Sequence, residues 1–398
     1  MKSLLGSGNL SRLSPTTFHL VSGRAFFPKL LAASFGRGLI GAFLFAALIC
    51  VMGATLSLSL SWRKTPASRV TMFVIIKNKM YEEEFVSNDI VVYSRTVVPF
   101  TSTGEIDEDG FREYLRRLVR NNIAVYLAAC GPCEGFTLSN EEISRIYKIG
   151  VEECKGKVFV GGSGKEQHTA KDTLEIVQLG IDAGLDSINV YGPSGWHGYE
   201  PTEAEFLNYY DRILSETNYS TSMAPNPAIG YRPSARSVAA VCNKYPQVNA
   251  VILAGIYEDG YLISLKDSLT RDVDFLITLP TALTGFELGS RGLIAYQSQF
   301  IPNTYRSFID LYSDGNLAEA MVVYSQLRNY EALVVSEPAW KIRWCKMAMR
   351  AFKLPGGEGT FREPCLMPEN SEVSRFAKAL IDLDIPEINE MASASGLN

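Results

Sequence analysis

Eight short apolar runs, amphipathic stretches between them and a surplus of helix-like sequence after the last run predict an α/β fold. The architecture they fit is a (β/α)8 TIM barrel with extra C-terminal helices. The runs are DIVVYSRTVVPF (89–100), IAVYLAAC (123–130), KVFVGGSG (157–164), SINVYGPS (187–194), STSMAPNP (220–227), NAVILAGIY (249–257), DFLITLP (274–280) and GLIAYQS (292–298). Continuous apolar strands separated by helices point to a parallel sheet covered on both faces and joined by right-handed crossovers. The intervening helices include 107–122, 139–155 and 169–184. Two carry a start signal: Ser139 precedes Glu142, and Thr202 precedes Glu205, each spaced as a capping box. Helical segments at 303–336, 339–352 and 371–382 exceed what a barrel needs. The division is therefore a barrel over 89–300 and a helical extension over 301–398.

The first 88 residues read differently. No Asp or Glu occurs before Glu82, and residues 38–62 carry no charge. That length spans a bilayer, so a hydrophobic N-terminal helix is expected there. Residues 1–70 read as a membrane anchor or as an organelle transit region, with Ser, Lys2, Arg12, Arg24, Lys29 and Arg37 ahead of the apolar stretch. A third reading is a segment that the working protein does not keep. Residues 71–88 read as a linker. The location follows from these alternatives: membrane-anchored with the barrel in a reducing compartment, organelle-targeted, or cytoplasmic if 1–70 is removed.

Charge and cysteine content narrow the function. A formal net charge of -5 gives no basic surface for nucleic acid. Seven cysteines, scattered and odd in number, suit free thiols rather than a disulfide framework. Three histidines are too few for a His-rich metal site, and no metal or other cofactor is expected.

Several stretches, taken in order, resemble one family. VVPFTSTGEIDEDGF (97–111), CGPCEGFTLSNEE (130–142), the segment from GGSGKEQ to PSGW (161–196), APNPAIG (224–230), LGSRGLIAYQSQFIP (288–302) and GEGTFREPCLMP (357–368) look like the landmarks of the dihydrodipicolinate synthase / N-acetylneuraminate lyase family of class I aldolases. The resemblance implies a lysine on the sixth strand that forms an imine with a 2-keto acid, a tyrosine on the fifth and hydroxyls in the loop after the second. An imine needs an amine, and its protonated form is the electron sink of the reaction. Here Tyr257 takes the lysine position in one register, and Ile252 or Ala254 in the other. Ala224 stands near the tyrosine position, and Gly131, Pro132 and Cys133 fill the threonine loop. Lys266 lies beyond the strand and is expected on the outer surface.

The implied ligand is a small keto acid or sugar acid, and the implied assembly a homo-oligomer. Candidate binding residues are Gly131, Glu134, Ser194, Asn226, Arg232 and Gln299, with Trp196, Glu258 and Gln297 nearby in sequence. Tyr257, Cys133 and His197 are the catalytic candidates. Three functions stay open. One is a carbon–carbon or carbon–oxygen lyase with altered or lost imine chemistry. Another is a catalytically degenerate binding or assembly module, with membrane attachment through 38–62. The third is thiol chemistry at Cys130 and Cys133. A redox Cys-x-x-Cys works at a helix N-terminus, which lowers the thiol pKa. This one is followed by Glu134, Gly135 and Thr137 before the next helix, which favours an ordinary barrel loop.

Overall fold

The computed structural model describes residues 56–64, 70–78 and 90–397, Trp196 excepted. The chain divides between Ser87 and Asn88 into two units. In the first, β1 (Leu56–Lys64) and β2 (Val70–Asn78) pair antiparallel, from Leu56 opposite Asn78 to Lys64 opposite Val70. This corrects the expected hydrophobic helix over 38–62. Its last seven residues, 56–62, are strand, and 38–55 lie outside the described residues. The cause is legible in the sequence. LSLSLSW alternates apolar and polar residues with a period of two, which suits a strand and not a helix. Among the described residues no helix is long and apolar enough to cross a membrane.

The second unit is the barrel. Its strands are β3 (Val91–Arg95), β4 (Ile123–Leu127), β5 (Val160–Gly162), β6 (Ser187–Tyr191), β7 (Thr221–Ala224), β8 (Val248–Ile252), β9 (Asp274–Ile277) and β10 (Gly292–Ile294). Each pairs in parallel with the next, and β10 pairs with both β9 and β3, which closes the barrel. The strands are shorter than the apolar runs that announced them, because each run continues into the loop that caps the barrel. The outer helices start as their side chains dictate. Asp107 accepts from the Gly110 amide at 2.9 Å, and both expected capping boxes form. Helix Glu108–Arg120 lays Phe111, Leu115 and Leu118, all fully buried, against the sheet. Each such side chain contributes on the order of 1.5–3 kcal/mol.

Inside the barrel, Tyr93, Tyr126 and Phe159 form a ring cluster with centroids 5.4–5.9 Å apart. Gly161 leaves room for it, since a Cβ there would stand 2.6 Å from the Tyr126 ring. This floor sets the depth of the mouth above it. The C-terminal extension is helical as expected, but 303–336 is two helices, Pro302–Ser313 and Leu317–Val334. They are followed by Trp344–Ala351, Asn370–Ile381 and Pro386–Ser395.

Candidate functional site

Strand alternation positions the central group. On β3, Tyr93 and Arg95 share a face two residues apart, so Arg95 stands one layer above the aromatic floor, towards the C-terminal ends of the strands. The residue is 2% exposed. Nη1 donates to the Tyr296 hydroxyl at 3.2 Å, and the guanidinium carbon lies 5.5 Å from the centroid of that ring. Nε and Nη2 have no hydrogen-bond partner. Burial works against the charge, the hydrogen bond to Tyr296 works for it, and the guanidinium stays protonated.

Arg95 borders a cavity of about 460 Å³ at the C-terminal ends of the barrel strands. Tyr257, Thr278, Tyr296, Arg328 and Glu331 also line it. Arg328 and Glu331 come from helix Leu317–Val334, so the C-terminal extension forms one wall. Glu331 accepts from the Tyr305 hydroxyl at 3.0 Å. Burial lifts its carboxyl to about 7, against the opposing pull of that hydrogen bond and of Arg328. Thr278 Oγ1 and Arg328 Nη1 are buried without hydrogen-bond partners, like the free edge of Arg95. None of the residues lining the cavity is a lysine.

The residues singled out from the sequence scatter around this cavity. Tyr257 lines it and is 61% exposed. Gln297 lines it too, as do Ala254 and Gly255, whereas Ile252 is buried in the core. Gly131 approaches from the side: a Cβ there would stand 3.4 Å from the Tyr296 hydroxyl. Asn226 caps a short turn, accepting from the Ala228 amide at 3.0 Å, and its Oδ1 packs against Gly255. Gln299 is buried one shell out, where its Oε1 accepts from the Val97 amide at 3.1 Å and from the Tyr114 hydroxyl. Ser194 is half-buried in the loop after β6, and His197 is exposed in the same loop with φ 48°. Trp196 lies outside the described residues. Arg232 is paired with Glu258 at 2.7 Å on the surface, over the Tyr261 ring. Lys266 donates to the Leu288 carbonyl on the outer helix layer.

Glu134 is committed elsewhere. It is fully buried and pairs with Lys346 of helix Trp344–Ala351, and its Oε1 accepts from the Arg362 amide at 3.0 Å. Lys346 Nζ lies 4.1 Å from the Phe100 centroid and 5.0 Å from that of Phe361. This pair fastens the loop after β4 to the C-terminal extension.

Cys130 precedes a single turn, Gly131–Cys133, that Cys133 ends, and both are free thiols. Cys133 Sγ donates to the Arg95 carbonyl at 3.2 Å, and burial pushes both thiols up from their ordinary value. A reactive thiolate needs the opposite shift. Sequence reasoning missed Arg95, Thr278, Tyr296, Arg328 and Glu331. The one available signal was a lone arginine inside the apolar run VVYSRTVV, two residues from an inward tyrosine.

Comparison with known proteins agrees with this architecture. The model of the dihydrodipicolinate synthetase family matches residues 90–382. A 4-hydroxy-tetrahydrodipicolinate synthase from Protochlamydia amoebophila is 25% identical over 285 residues, covering 67% of this chain and 88% of its own. One from Ehrlichia canis is 26% identical over 249 residues, 58% of this chain and 77% of its own. Among solved structures, the dihydrodipicolinate synthase of Oceanobacillus iheyensis superposes with a TM-score of 0.64 at 19% identity, over 75% of this chain and 98% of that one. A prophage protein of the dihydrodipicolinic acid synthase family from E. coli K12, in complex with pyruvate, gives 0.66 at 17%, over 74% and 98%. The eight-stranded parallel barrel, the ordered landmarks and the family match lead to one conclusion: this chain belongs to the dihydrodipicolinate synthetase family.

Proposed function

We propose that the barrel mouth binds a small 2-oxo acid or sugar acid without forming a lysine imine. The observation that carries this reading is the composition of the cavity wall, which contains arginine, threonine, tyrosine and glutamate but no lysine. An imine requires an amine at the carbonyl, and neither Ile252, Ala254 nor Tyr257 offers one. The pyruvate complex of the E. coli neighbour supports the ligand class by analogy of fold. A cavity of about 460 Å³ accommodates a molecule of that size, which favours a binding role over a purely structural one.

Within the wall, Glu331 is the group suited to exchange protons near neutrality, since its carboxyl sits at about 7. Tyr257 adds a phenol at the rim. The test is borohydride treatment of the full chain with pyruvate, read by intact mass. Unchanged mass from folded protein is expected. A reduced pyruvate adduct on a lysine overturns the reading and restores imine chemistry.

A further inference from the structure

We infer that the free edge of Arg95 is a carboxylate-binding site, and that it anchors the ligand's acid group non-covalently at the floor of the mouth. This deepens the proposed function and rests on its placement of the ligand in this cavity. Three observations converge.

The first is which nitrogens are free. Tyr296 occupies Nη1, and Nε and Nη2 remain. Those two share one edge of the planar guanidinium, with parallel N–H bonds at the spacing of carboxylate oxygens. The second is charge. Arg95 is a buried cation whose electrostatic neighbours, Tyr191, Tyr296 and Cys133, are pushed up by their own burial and so carry no charge at pH 7. An uncompensated buried charge is costly, and an arriving anion removes that cost. The third is the company it keeps. Two other residues that line the cavity also hold a buried, unpartnered polar atom: Arg328 its Nη1, a donor, and Thr278 its Oγ1, which can donate. A wall of unsatisfied donors asks for a ligand rich in acceptors, such as a carboxylic acid with oxo or hydroxyl groups.

The test is calorimetric titration of the full chain, in a buffer of weakly coordinating ions, with pyruvate, lactate and acetate against the neutral probe pyruvamide. Pyruvate and lactate are expected to bind at least tenfold more tightly than pyruvamide. Arg95→Met is expected to erase that preference while keeping the parent's circular dichroism and melting temperature. Arg95→Lys, which offers a point charge instead of a fork, is expected to weaken pyruvate binding tenfold or more. Absence of any carboxylate preference in the parent overturns the inference, as does parental pyruvate affinity in folded Arg95→Met. If that variant does not fold, parental affinity in Arg95→Lys overturns it. Borohydride trapping separates the two proposals. An adduct combined with lost binding in Arg95→Met sinks the imine-free reading and leaves this site standing. No adduct and unchanged binding does the reverse.

Discussion

Among the residues whose burial is described, two cations are buried, Lys346 and Arg95, and they have opposite surroundings. Lys346, 3% exposed, meets the Glu134 carboxylate, the Thr360 carbonyl and two phenylalanine rings. Arg95, equally buried, is acted on by two tyrosine hydroxyls and a thiol, borders a cavity, and leaves Nε and Nη2 without a hydrogen-bond partner. Burial of a charge therefore says little about its role, and the partner decides. A charge paired within the chain fastens elements together. A charge left unpaired at a cavity wall is completed by something from outside.

The largest effect should come from breaking the paired cation. Lys346→Met leaves the buried Glu134 carboxylate without its cation, held only by the Arg362 amide, and is expected to cost about 3–5 kcal/mol in urea unfolding. Adding Glu134→Gln should recover most of that loss, which a double-mutant cycle will read. Arg95→Met removes a charge that has no partner to strand, so the unliganded protein should stay within about 1 kcal/mol of the parent. A loss as large as that of Lys346→Met would erase the contrast. Next is the floor on which Arg95 stands. Gly161→Ala pushes a methyl into the Tyr126 ring and should cost about 1–3 kcal/mol, with weaker ligand binding.

The pH dependence of Glu331 sharpens the comparison further. Its carboxyl is raised, so the native state holds its proton more tightly than the unfolded chain does. The stability this provides is full below the ordinary carboxylate value and is lost as pH rises to about 7. Glu331→Gln should flatten the melting temperature over that window. The smallest effect belongs to the exposed pair of Arg232 and Glu258, where Arg232→Ala should leave the melting temperature unchanged.

Much of the barrel was readable because strands and helices repeat with fixed periods. The same logic failed at the N-terminus, where length and lack of charge were weighed above the alternation of LSLSLSW. The final helix, Pro386–Ser395, carries its own signals in Pro386 at its first turn and Gly396 beyond its end, but it lies past the three helical segments the periodicity marks. The site was less legible. Arg95 hides within an apolar run, and its meaning depends on β10, which delivers Tyr296. Arg328 and Glu331 arrive from a helix far along the chain, and no local pattern links them to β3. Glu134 misled for the same reason: its partner Lys346 is visible only once the extension has packed.

The Tyr296 hydroxyl fixes which side of the guanidinium is left over, and this has a practical consequence for handling the protein. A permanent positive charge beside an open cavity does not wait for the physiological ligand. Phosphate, acetate and chloride are all competitors for it. Inhibition constants or affinities measured in such buffers would report an exchange of one anion for another, and a screen run in acetate would discard the weaker of the true ligands.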